Sequence, residues 1–131
     1  MNINIEQEIV KKFVRKNRQE RIIWELSNVK KREDVVWRNF SGPNIFFEEC
    51  LHPTEYMSDT YLEDYLFKLT GVSTVYYMGE DYIGNLSLKE ATNRAYGLTC
   101  IIYCGKGIGY YQGEQYIGKP PRFMLIDEKR S

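Results

Sequence analysis

Residues 98–112 read LTCIIYCGKGIGYYQ. Two runs rich in β-branched and aromatic residues flank G-K-G, a tight-turn pattern. The first run, 98–104, is nearly continuous in apolar side chains, as expected of a central strand covered on both faces. The second, I-G-Y-Y-Q at 108–112, returns beside it. This hairpin predicts a sheet, and two further segments extend it: STVYYM at 73–78 and RFMLI at 122–126.

Upstream of the sheet the periodicity is helical. Ile5, Ile9 and Phe13, with Val10 and Val14, mark an amphipathic helix over 5–16. Ile22, Ile23 and Leu26 mark another over 18–27, with Trp24 off the stripe. Residues 29–40 lean to helix, S-G-P at 41–43 breaks it, and 51–57 reads as a loop. The clearest helix covers 59–70. Ser58 is its expected N-cap, Gly71 its stop, and Leu62, Tyr65, Leu66 and Leu69 its expected buried face. A short helix at 88–96 opens on the S-L-K-E capping box and stops at Gly97. The expected architecture is α+β: N-terminal helices within 5–70 packed on a small, mostly antiparallel sheet formed by the strand- and turn-rich segment 72–126.

The 131 residues, 43% of them hydrophobic, fit one domain spanning 1–131. No apolar run nears the roughly 20 residues a bilayer-spanning helix needs, so no membrane partner is expected. The N-terminus, MNINIEQE, has neither a basic start nor an apolar run, and the three cysteines are an odd number. Both features predict free thiols and a cytoplasmic location. Net charge is zero but uneven: residues 1–40 carry ten Lys/Arg against six Asp/Glu, 41–97 three against nine, and 98–131 five against three. The basic start and the acidic middle either face each other or meet a charged partner.

One internal repeat stands out. YYMGEDYIGN at 76–85 and YYQGEQYIGK at 110–119 share seven of ten positions. Gly-Glu after two tyrosines predicts a two-residue type II′ turn, with Gly79 at the first corner. That register sets Tyr77 opposite Tyr82 and Tyr111 opposite Tyr116, and the glycines at 84 and 118 end the return strands. Cross-strand aromatic pairs of this kind stabilise a hairpin by roughly 0.2–1 kcal/mol each. The repeat therefore reads first as one good hairpin used twice. Its functional reading is a pair of loops presenting Glu80 and Glu114, ringed by Tyr77, Tyr82, Tyr111 and Tyr116.

Several motifs fail as chemistry. GKGIG at 105–109 lacks the helix that phosphate-cradling glycine loops require. Cys50, His52, Cys100 and Cys104 are a candidate zinc set. On a straight strand, however, Cys100 and Cys104 stand roughly 13 Å apart, whereas two thiolates on one zinc lie within about 4 Å. No metal and no cofactor is expected. His52 is the lone histidine; pairing with Cys50 as a nucleophile needs the thiol within hydrogen-bond reach. Lys11, Lys12, Arg15, Lys16 and Arg18 form a basic face that reads as a solvated helix surface. Contact with nucleic acid is the lesser reading, because the pI of 6.6 is low for such a domain.

The sequence thus names no activity. Its best functional expectation is a small non-enzymatic binding or regulatory protein contacting another protein through tyrosine-rich hairpins and an acidic surface. The alternative is a hydrolase or transferase using Glu80 and Glu114 as an acid–base pair across a cleft, with His52 a weaker catalytic candidate.

Overall fold

The computed structural model describes residues 2–54, 59–114 and 121–127. The chain opens on a helical hairpin, α1 (Ile3–Phe13) and α2 (Lys16–Ser27). Asn2 caps α1 by accepting the Ile5 N–H at 3.2 Å. The first helix stops earlier than its periodicity predicts: Val14 turns extended and bridges Phe46, and the Phe47 N–H donates to the Phe13 carbonyl. Two short helices follow, α3 (Val29–Arg32) and α4 (Val35–Asn39), then 3₁₀ turns at Pro43–Ile45 and Glu48–Cys50.

The remaining elements are β1 (Leu51–Pro53), α5 (Asp59–Thr70), β2 (Thr74–Gly79), β3 (Ile83–Ser87), α6 (Leu88–Arg94), β4 (Cys100–Gly105), β5 (Ile108–Gln112) and β6 (Arg122–Ile126). The capping box is formed at α6, where Ser87 Oγ accepts the Glu90 N–H at 3.1 Å. The expected N-cap of α5, Ser58, lies outside the described residues. Among those described, no helix is long and apolar enough to cross a membrane.

The strands form one antiparallel sheet in the order β1-β6-β5-β4-β2-β3. This is the expected α+β fold, with helices mostly in the first half and strands mostly in the second. The β4–β5 hairpin is the one read from residues 98–112. Its corner residues Lys106 and Gly107 both have positive φ (53° and 77°), as a type I′ turn demands.

Helices cover both faces of the sheet. On one face Ile9, Phe13, Ile22, Leu26, Val35 and Phe40 pack on Tyr76, Met78, Ile101, Tyr103, Tyr111 and Leu125. On the other, Leu62, Leu66, Leu88 and Ala91 pack on Val75, Tyr77, Ile102, Tyr110 and Met124. This double cover explains why β2 and β4 lack alternation: alternate residues enter different cores, and both need apolar side chains.

Two expectations are corrected here. Residues 51–53 are a strand, not loop, paired with β6 through Leu51–Leu125 and Pro53–Phe123. The buried face of α5 is also narrower than predicted. Leu62 and Leu66 are fully buried, but Tyr65 and Leu69 are 39% and 46% exposed. Only the Leu62–Leu66 stripe enters the core, beside Leu88 and Ala91 of α6 and Val75 and Tyr77 of β2.

Candidate functional site

The repeat folds differently in its two copies. In the first, β2 and β3 pair with Tyr77 opposite Gly84 and Met78 opposite Ile83, two residues away from the predicted register. The Gly79 N–H donates to the Tyr82 carbonyl, so Glu80 and Asp81 occupy the corner. Gly79 does not adopt positive φ, as the predicted type II′ turn would need. Gly84 lies inside β3 rather than at its end. In the second copy β5 ends at Gln112, the Gly113 N–H just beyond it donates to the Pro121 carbonyl, and β6 rather than a short return strand lies beside it. Tyr111 stands opposite Phe123. The predicted partner Tyr116 and the glycine at 118 lie outside the described residues.

The copies also face opposite sides. Tyr77 is level with Ile102 and Tyr110, whereas Tyr111 is level with Ile101 and Met78. The equivalent tyrosines are thus one residue out of step, and a one-residue slip flips a strand's side chains to the other face. Tyr77 and Tyr111 are both fully buried, in different cores. Neither is on the surface where paired hairpins would have presented it.

What the repeat does share is local. The Tyr77 ring lies over Gly79, Tyr82 over Gly84 and Tyr111 over Gly113. Each ring covers the glycine two residues on, which shares its strand face. A Cβ at Gly113 would stand 2.6 Å from Tyr111 Oη and 2.9 Å from the Ser41 carbonyl. At Gly79 it would intrude on the Tyr77 ring, which cannot swing away because its hydroxyl donates to Asp81 Oδ1 at 3.0 Å. Gly79→Ala is therefore expected to destabilise the fold by about 1–3 kcal/mol, read as a lower urea midpoint with unchanged slope. Burial, followed by the neighbouring Cys100 thiol and Asp81 carboxylate, holds the Tyr77 phenol protonated far above the usual tyrosine range.

One tyrosine of the repeat does reach solvent. Tyr82 is 40% exposed, with Arg94 packed over its ring at 5.1 Å. Arg94 is itself held by Asp81 at 3.0 Å and Glu90 at 3.7 Å. The hairpin tip faces the junction of α3 and α4 across a cleft of about 700 Å³. Glu80, Asp81, Tyr82 and Ile83 line one wall, and Val29, Arg32, Glu33 and Asp34 the other. Asn28 fixes the second wall by accepting the Lys30 and Lys31 N–H groups at the head of α3. Arg32 does not neutralise the cleft. Its guanidinium grips the fully buried Glu6, at 2.6 Å through Nη1 and again through Nη2, and the Tyr76 hydroxyl donates to the same carboxylate. Glu33 and Asp34 are exposed, so four carboxylates border the cleft and its one lining cation is engaged.

The other predicted site residues are scattered. Glu80 Oε2 accepts the Thr99 N–H at 2.8 Å. Glu114 sits at the same end of the sheet, since β2 and β5 run parallel on either side of β4. Its N–H, however, donates to the Ser41 carbonyl at 2.9 Å, and it does not line the cleft beside Glu80. His52 pairs with Met124 and so shares its face, while Cys50 is buried in the opposite core with its thiol toward the Lys12 carbonyl. These two do not form a nucleophile pair. Cys100 and Cys104 share the core that Cys50 does not enter. The basic face is divided as well: Lys11 and Lys12 end α1, Arg15 is in the link, and Lys16 and Arg18 begin α2. Lys12 pairs with Asp127 at 3.5 Å.

Burial pushes the Cys104 thiol up to about 11, against a smaller lowering effect of its hydrogen bond with Thr70. At pH 8 its native-state alkylation by iodoacetamide is expected to run about two orders of magnitude slower than that of free cysteine, as followed by mass spectrometry. Labelling at the free-thiol rate would contradict this burial.

Sequence reasoning found Glu80 and Tyr82 but missed Glu33 and Asp34. Their only signal was the acidic pair closing the charged run K-K-R-E-D. Compared with protein-family models, with curated proteins and with solved structures, the chain finds no match in any of the three.

Proposed function

We infer that the chain is a non-catalytic binding module whose acidic cleft takes a Lys- or Arg-rich segment of a partner protein. The observation that supports this reading is Tyr82, braced by Arg94 and Gly84 yet open to solvent, beside Glu33, Asp34 and Glu80 in one cleft. A fixed aromatic ring offers contact area at little entropic cost, and surrounding carboxylates select cationic side chains. This retains the protein-binding expectation but moves it from two hairpins to one hairpin tip and the α3–α4 junction. The acid–base alternative loses support, because Glu80 is hydrogen-bonded to the sheet and shares no cleft wall with Glu114.

The test is calorimetric titration with a synthetic Lys/Arg-rich dodecapeptide and with an acidic peptide of the same length. The basic peptide is expected to bind in a salt-dependent way. Tyr82→Ala and the double change Glu33→Lys/Asp34→Lys are each expected to weaken it roughly 10- to 30-fold. Equal affinity in wild type and both variants would remove the proposal.

A further inference from the structure

A second concavity, of about 410 Å³, lies beyond the other end of α4. Arg15, Arg18 and Arg38 line it, with Asn17, Asn39 and Asn44 between them. Three guanidinium groups around one hollow give it a positive potential that favours an anion. Other arginines of the chain are paired. Arg21 pairs with Glu25, Arg32 with Glu6, and Arg94 with Asp81. Arg38 stands 3.9 Å from both Glu25 and Asp34. Among the described residues, Arg15 and Arg18 have no carboxylate partner.

Both are nonetheless held in position. Arg15 Nε donates to the Asn44 carbonyl at 2.9 Å, which leaves its two terminal nitrogens for a ligand. Arg18 Nη2 donates to Asn39 Oδ1 at 3.4 Å. Asn39 is itself buried and fixed by bonds to Glu25 and to the Val35 carbonyl. The hollow also receives the head of α2, a 12-residue helix with Arg15 at its N-cap and no side chain capping its first N–H groups. Those N–H groups and the positive end of the helix dipole add to the arginines.

We propose that this pocket binds a phosphate group of a small molecule, held by Arg15 and Arg18 and by the backbone at the start of α2. The arginine forks match phosphate geometry in a way that lysines would not. The site is independent of the acidic cleft and would stand if that reading failed.

The test is a titration with inorganic phosphate and with pyrophosphate, followed by amide chemical shifts, against sodium chloride at matched ionic strength. Phosphate and pyrophosphate are expected to shift the Lys16 and Asn17 amides saturably. Arg15→Gln/Arg18→Gln is expected to weaken binding at least tenfold, while Lys11→Gln leaves it within twofold. Arg15→Gln alone secures the result if the double variant fails to fold, since among the described residues the one hydrogen bond of that side chain is to the exposed Asn44 carbonyl; it too is expected to weaken binding. Chloride reproducing the shifts, or wild type and Arg15→Gln responding alike, would overturn the proposal. So would a single-stranded oligonucleotide that binds while inorganic phosphate does not, and that depends on Lys11 as strongly as on Arg15. That pattern would indicate a diffuse basic surface instead.

Discussion

Arg32→Met is expected to lower the unfolding free energy by about 3–5 kcal/mol, a large part of what a domain this size possesses. Glu6 is fully buried and takes two hydrogen bonds from Arg32 and one from Tyr76. The Arg32 guanidinium also donates to the Leu26 carbonyl at 3.0 Å, tying α1 to the end of α2. Removing it strands a carboxylate in a low-dielectric core, where the desolvation cost has no offset. Glu6→Leu/Arg32→Met removes both charges and is expected to recover most of the loss. Urea unfolding followed by circular dichroism measures both. A single variant within about 1 kcal/mol of wild type would show that the pair does not form.

The second large effect is at Tyr111. Its ring packs edge-on to Phe46 at 4.7 Å and stacks on Phe123 at 6.4 Å, and its hydroxyl donates to the Phe40 carbonyl at 2.6 Å. Tyr111→Ala is expected to cost about 3–5 kcal/mol through the cavity it leaves. Tyr111→Phe is expected to cost about 1–2 kcal/mol, because the Phe40 carbonyl loses its partner. Tyr82→Ala, at the half-exposed tyrosine of the other repeat copy, is expected to cost under about 1 kcal/mol. Differential scanning calorimetry on the three variants checks the order. Equal losses at Tyr111 and Tyr82 would contradict the burial that separates them.

The fold was legible wherever local chemistry and tertiary context agree. The β4–β5 hairpin follows from two apolar runs around G-K-G, and α6 from Ser87 and Glu90. The first strand was not legible. Leu51–Pro53 is three residues long, ends in proline, and owes its conformation to pairing with β6. Nor were the outer positions of α5, since periodicity marks an apolar stripe without giving the width of the surface that receives it. The candidate site was half legible. Glu80 and Tyr82 stood in a visible motif, but Glu33 and Asp34 meet them only through the contact of α4 with β2 and the bonds by which Arg32 and Tyr76 share Glu6. The repeat misled for a related reason: sequence identity reported a shared local packing, while cross-strand register, set by β4, placed the copies on opposite faces.

The pairing of each tyrosine with the glycine two positions on has a consequence for how such a chain can change. A contact completed within one strand asks nothing of neighbouring strands. A Tyr-x-Gly unit is therefore portable, and a copied segment can settle against either core without new partners evolving for it. What recurs in this chain is a building tile rather than a binding surface, set each time in different surroundings.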